Sequence, residues 1–123
     1  MSVYAEAVNR LREIEQAIQD ELEGTMAEDL SPMQACVLAE LRKRNGQKAS
    51  ALAASIGRPA TSFTPILDSL ERQNLLARRP DPDDRRAIQV WLTDIGARAC
   101  GAIVPALERV EKRFATEPAW VVG

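Results

Sequence analysis

At 123 residues, 46% of them hydrophobic, the chain has the size of one domain and can build a core without disulfide or metal staples. Aromatic residues make up only 4% and histidine is absent, so the core is aliphatic, the common zinc and haem ligand sets are missing, and acid–base chemistry at neutral pH lacks its usual agent. The net charge of -2 argues against a uniformly basic surface, yet ten basic and five acidic residues lie between Arg42 and Arg86. That basic centre between acidic flanks suits a polyanionic partner.

The first element is a helix over roughly Ser2 to Glu23, with Val8, Leu11, Ile14, Ile18 and Leu22 on one stripe. Gly24-Thr25 ends it. A second helix opens with strong signals: Ser31 as cap, Pro32 in the first position and Gln34 completing a capping box. Val37, Leu38 and Leu41 are its buried stripe, Arg42-Lys43-Arg44 complements the negative end of its dipole, and Asn45-Gly46 stops it. A short helix follows around Ala49 to Ile56 with Leu52, Ala53 and Ile56 inward. After the turn Gly57-Arg58-Pro59, another helix runs to about Asn74 with Phe63, Ile66, Leu67 and Leu70 inward. Two helices joined by a short glycine-containing turn form a helix-turn-helix pair.

Past Asn74 the period changes. Leu75 to Arg79 reads as a strand, and Ile88, Val90 and Leu92 alternate with Gln89, Trp91 and Thr93 as a half-buried one. Pro80-Asp81-Pro82-Asp83-Asp84-Arg85-Arg86 between them is turn chemistry, so the pair is a hairpin with a charged tip. Thr93 caps a last helix, Asp94 stands in its first turn, and Ala99, Ile103, Leu107, Val110 and Phe114 form its stripe. Pro105 should bend this helix. The tail from Thr116 to Gly123 carries no clear element.

The predicted fold is mainly α with a small β hairpin (α+β): a single unit over residues 1–123, with helices at both ends (1–29 and 94–123) flanking a winged helix-turn-helix core over 30–93. The stripes Leu11, Ile14, Ile18 and Ile103, Leu107, Val110 exceed what one winged domain of this size can cover, so a homodimer is expected to bury them. No apolar run approaches the ~20 residues of a membrane span. The first six residues lack a signal peptide's basic and apolar regions, so no membrane and a cytoplasmic location are expected. With no nucleophile–base pair and no phosphate-cradling glycine loop, neither enzyme nor cofactor is expected.

Across Leu30 to Phe114 the sequence resembles the MarR family of transcriptional regulators. The resemblance is carried by Leu30-Ser31-Pro32, Leu52-Ala53-Ala54-Ser55-Ile56-Gly57, Leu67-Asp68-Ser69-Leu70-Glu71, the wing run Arg79 to Arg86, and Leu92-Thr93-Asp94-Ile95-Gly96. It implies a homodimer whose first and last helices interlock, a recognition helix in the major groove of double-stranded DNA, and a wing in the adjacent minor groove. It also implies a response to small lipophilic or phenolic effectors, or to oxidation of a cysteine. The sequence departs from many relatives at Pro65, where they have a basic residue, and at Asn74, where they have glycine. A further C-terminal dimerisation helix, usual in the family, is expected to be short or missing.

For DNA contact, the helix face opposite Phe63, Ile66, Leu67 and Leu70 offers Thr61, Pro65, Asp68 and Arg72, flanked by Ser62, Thr64 and Ser69. Hydroxyls can meet base edges or phosphates. Ser50 and Lys48 stand near a helix start that favours a phosphate, and Arg58 lies in the turn of the pair. In the wing, Arg86 is drawn to a narrow A·T-rich minor groove, Asp84 is expected to brace its guanidinium, and Arg85 serves phosphates or the wing itself. Arg78 and Arg79 have two readings, pairing with Asp68 or contacting phosphate. Pro65 also has two: a helix that starts late, capped by Thr61 or Ser62, or one that bends there. Cys36 and Cys100 read as buried thiols, with redox sensing as the rival; Trp91 either stacks over the arginines or lines a pocket. The function expected is a sequence-specific DNA-binding regulator, a repressor. A thiol-based sensor and a protein-interaction module without DNA binding are the alternatives.

Overall fold

A computed structural model describes residues 2–115; the tail from Thr116 onward, with Trp120, lies outside them. Helix α1 (Val3–Leu22) is capped by the Ser2 side chain, and α2 (Pro32–Lys43) opens on the full Ser31–Gln34 capping box with proline at its start. Helices α3 (Ala49–Ile56) and α4 (Ala60–Arg72) form the helix-turn-helix pair. Both end in the same way. Gly57 is left-handed at φ +76, and the Arg58 and Gly57 amides donate to the carbonyls of Ala53 and Ala54. Asn74 takes φ +60, and the Leu75 and Asn74 amides donate to Leu70 and Glu71. These are Schellman closures, with buried Leu70 and Leu75 at the positions where an apolar contact accompanies the motif. The second closure uses the Leu75 amide, so strand β2 runs over Leu76–Pro80, one residue later than the pattern suggests. Strand β3 (Ile88–Leu92) returns antiparallel to it, with Arg78 opposite Val90.

A third strand escaped the sequence pattern. β1 (Gln47–Lys48) pairs antiparallel with β3, Gln47 opposite Val90 and Lys48 opposite Gln89, giving the order β1-β3-β2. Two residues are too few to show a period. Asn45 Oδ1 reinforces the join by accepting the Leu92 amide at 2.8 Å.

Helix α5 (Asp94–Phe114) starts at the Thr93 cap and continues through Pro105 as one helix. Gly96 lets it start where it does: a Cβ there would collide with the carbonyl oxygen of Leu75. The core runs from Leu22 of α1 through Leu38 and Leu41 of α2, Leu52 of α3, Phe63 and Leu70 of α4, and Val90 of β3 to Ile103 of α5.

One expectation is corrected. Ile18, Ile103 and Val110 are buried inside the single chain, at 7%, 0% and 5% exposure, because α1 packs on α5 of the same chain. They belong to the core of the single chain. Leu11 remains 61% exposed, and Ile14 and Leu107 are half-buried. Among the described residues, no helix is long and apolar enough to cross a membrane.

Candidate nucleic-acid interface

Helix α4 buries Phe63, Leu67 and Leu70 and leaves Thr61, Ser62, Thr64, Pro65 and Arg72 exposed. It begins at Ala60 on the extended Pro59, with no side-chain cap. The late start at Thr61 or Ser62 is therefore excluded, and Pro65 lies well inside the helix. Without an amide hydrogen, Pro65 leaves the Thr61 carbonyl without its helical donor. That carbonyl belongs to an exposed residue, so water can reach it. The Ser62 and Thr64 hydroxyls donate back to the carbonyls of Pro59 and Ala60 at 3.0 and 3.4 Å, leaving their lone pairs as acceptors.

Ser69 departs from this face. Its half-buried hydroxyl accepts from Gln34 Nε2 of α2 at 3.0 Å and from Gln73 at 3.3 Å. It holds α4 against its support. Arg78 resolves in favour of the clamp. Nη2 lies 2.6 Å from Asp68 Oδ1 and 2.7 Å from Glu71 Oε1, Nε donates to Glu71, and its backbone amide donates to Glu71 Oε2. The hydrogen bonds that Arg78 donates hold the Glu71 carboxyl below its usual range, and the same bonds, accepted by Glu71 foremost, raise the guanidinium's pKa. Arg78 thus binds strand β2 to helix α4 and neutralises Asp68 on the exposed helix face. The expected phosphate contact by Arg78 is replaced by this structural role.

The wing is organised by a residue the sequence reading passed over. Asp81, 9% exposed, accepts the amides of Asp83 at 2.8 Å and Asp84 at 3.0 Å on Oδ1, and Gln89 Nε2 at 3.3 Å on Oδ2. The signal was available: an aspartate that can bond backbone two residues ahead is an Asx-turn former. Asp84 does not brace the Arg86 guanidinium as expected. Its Oδ1 accepts the Arg86 backbone amide at 3.0 Å, and Oδ2 lies 4.0 Å from Lys48 Nζ. A carboxylate two residues upstream reaches the nearby backbone more readily than the far end of a long side chain. Arg85 and Arg86 are exposed. At the wing's base the Arg79 guanidinium lies 6.0 Å from the centre of the Trp91 ring, whose Nε1 donates to Gln89 at 3.1 Å. The indole packs so closely on Gly46 that any Cβ there would overlap it.

Ser50, in the first turn of α3, and Arg58, in the turn between α3 and α4, are both exposed. Away from this surface, α2 and α5 line an open cleft of about 320 Å³. Its apolar wall is Cys36, Ala39, Val104 and Leu107, and its charged rim includes Glu40, Glu108, Arg42 and Lys43. Burial pushes both thiols up: that of Cys36, with the Glu40 charge adding to it, and that of Cys100, which donates to the Leu38 carbonyl at 3.4 Å.

Residues 30–88, from the α2 cap through the wing, match the model of the MarR family. Over that stretch the chain is similar to the MarR family. Among curated relatives, the HTH-type transcriptional repressor MdtR of Bacillus subtilis (strain 168) is 38% identical over 87 residues, 70% of this chain and 56% of its own length. The transcriptional regulator HosA of Escherichia coli O111:H- is 25% identical over 114 residues, 93% of this chain and 84% of its own. The chain spans about half the length of the first curated relatives it matches. Among solved structures, the S. aureus MepR–DNA complex superposes with a TM-score of 0.83 at 21% identity, covering 97% of this chain and 86% of that one. The transcriptional repressor CouR, bound to a 23-mer DNA duplex, gives 0.76 at 25% identity, covering 100% and 82%. The chain has the winged-helix fold of these solved structures.

Proposed function

We propose that the protein is a sequence-specific DNA-binding transcriptional regulator, a repressor in kind, that acts as a cytoplasmic homodimer. One observation carries this reading. The exposed α4 face with Thr61, Thr64 and Arg72 and the wing with Arg85 and Arg86 are bound into one body by Arg78, whose guanidinium lies 2.6 Å from Asp68 and 2.7 Å from Glu71. A helix for the major groove and an arginine-bearing turn beside it suit duplex DNA. Ser50, Arg58 and Ser62 are the phosphate contacts of this reading. The winged core over 30–93 does the recognising, and the flanking helices assemble the dimer through the apolar surface that α1 leaves uncovered, including Val3, Tyr4 and Leu11. That assembly sets the two recognition helices about 34 Å apart, one DNA turn. The α2–α5 cleft, with Ala39, Val104 and Leu107 on its wall, is the seat of a small lipophilic or phenolic effector.

The test is a mobility shift on A·T-rich pseudopalindromic duplexes with the parent and Arg86→Ala. The variant should bind more weakly by about 1–3 kcal/mol while keeping its fold, and parental affinity should fall steeply with salt. Equal binding by both proteins would remove the wing from the interface. A monomer in sedimentation at micromolar concentration would remove the dimer.

A further inference from the structure

The wing carries three aspartates within four residues, a costly arrangement for a loop set against phosphates. Two of them have identifiable work. Asp84 supports the Arg86 amide and faces Lys48. Asp81 is the buried charged residue of the described chain, and its carboxylate is satisfied from three sides by the Asp83 amide, the Asp84 amide and the Gln89 side chain. The loop closes on itself through Asp81 N–H to the Ala87 carbonyl and Ala87 N–H to the Asp84 carbonyl. Every bond that shapes the backbone under Arg85 and Arg86 therefore runs through Asp81 or Asp84. Gln89 continues the chain of contacts: its amide nitrogen holds Asp81 and its oxygen accepts Trp91 Nε1. Trp91 in turn rests on Gly46, in the turn after α2. The wing tip is thus tied through three side chains to the helical body.

We propose that Asp81 is the positioning residue of the wing: its carboxylate stays off the DNA and fixes the 81–87 turn from which Arg85 and Arg86 project. This rests on the DNA-binding reading and adds a residue to it. The hydrogen bonds, that of the Asp83 amide foremost, keep the carboxyl ionised below its usual range despite burial. Plain electrostatics and positioning predict opposite signs. Removing a negative charge near phosphates should tighten binding. Removing the turn's anchor should weaken it.

The experiment measures affinity for one A·T-rich duplex with the parent, Asp81→Ala, Asp81→Asn, Arg86→Ala and the double variant of Asp81→Ala with Arg86→Ala. Asp81→Ala should weaken binding about tenfold, as expected when a minor-groove arginine is misplaced. Asp81→Asn keeps an oxygen for the two amides and should hold parental affinity or fall slightly below it. In the Arg86→Ala background, Asp81→Ala should cost nothing further, because it acts through that arginine. Binding by a folded Asp81→Ala at or above the parental affinity overturns the proposal, and so does a loss of about tenfold in Asp81→Asn, which keeps the acceptor for the two amides. A full Asp81→Ala penalty persisting without Arg86 overturns it too. Amide hydrogen exchange gives a readout independent of DNA: the Asp83 and Asp84 amides should be protected in the parent and exchange faster in the folded alanine variant. Unchanged exchange sinks the positioning role. A parent that binds no duplex while this exchange difference holds sinks the DNA-binding reading instead.

Discussion

Gln34, in the first turn of α2, donates its side-chain amide to Ser69 of α4 at 3.0 Å while its carbonyl oxygen accepts the Ser31 amide at 3.0 Å. One side chain completes a helix cap and sets how the recognition helix is turned on its support. Gln34→Ala should therefore destabilise the fold by about 1–2 kcal/mol, the sum of half a capping box and a cross-helix bond. Ser69→Ala should cost less and leave DNA affinity at the parental value. Urea unfolding and titration of the duplex check the two parts. A Ser69→Ala variant that folds normally but loses sequence discrimination would return Ser69 to the groove.

Arg78 gives a pH signature. Its partner Glu71 has a depressed pKa, so the stabilisation is fully present above the unfolded-state value and is lost as pH falls through the lower folded value. Since an unfolded glutamate titrates near ~4.3, the window lies below about pH 4.5. Both partners are partly exposed, so Arg78→Ala should cost only about 1 kcal/mol at pH 7. That difference should shrink as pH falls through the lowered folded value. Chemical denaturation of parent and variant across this range measures it. A difference that stays constant with pH would mean Arg78 contributes by packing alone.

Pro65 sits on the exposed α4 face between Thr61 and Arg72. Pro65→Ala restores a donor to the Thr61 carbonyl and should stabilise the protein by about 1–2 kcal/mol, less than the full ~3 kcal/mol for a helix-interior proline, because the unfolded chain gains freedom. Pro65→Arg should gain similarly in stability and strengthen DNA binding by adding a phosphate or base-edge contact. Thermal melts and duplex titrations separate the two effects. A folded Pro65→Arg dimer with weaker binding would mean that the proline itself shapes the recognition surface.

Burial raises the pKa of both thiols, and it is the thiolate that reacts. At pH 7, Cys36 and Cys100 should both label more slowly than a free cysteine. Cys100, at 2% exposure, should react only as fast as the protein opens. Mass spectrometry after timed alkylation, and separately after peroxide, reads both sites. Rapid oxidation of Cys36 at neutral pH would revive a thiol-sensing role.

Where local chemistry decides, the sequence was readable. Ser31-Pro32 with Gln34, and Thr93 with Asp94, mark two helix starts to the residue, because a cap is built from neighbours in the chain. The α4 wheel is equally direct, since Phe63, Leu67 and Leu70 need only a helical period to share a face. Partner choice was less accessible. Arg78 could have met Asp68 or phosphate until strand β2 was placed beside α4. Asp84 was assigned to the wrong end of Arg86, since one spacing allows both backbone and guanidinium. The stripes of α1 and α5 read, from the sequence, as more than one domain can cover. Periodicity reveals that a face will be covered without saying by what, and here Ile18 and Ile103 are covered within one chain.

The short strand β1 also bears on the order of folding. Gln47 and Val90, or Lys48 and Gln89, meet across about 40 residues of chain. The helices, and the hairpin of β2 with β3, close through near neighbours and can form early. The three-stranded sheet must wait until α3 and α4 have folded back and shortened that loop, because its closure entropy opposes pairing before then. Strand β1 therefore joins the sheet after the local units have formed. The β1–β3 join fixes the wing's second strand beside the start of α3, so the surface proposed to bind DNA is complete only once that pairing is made.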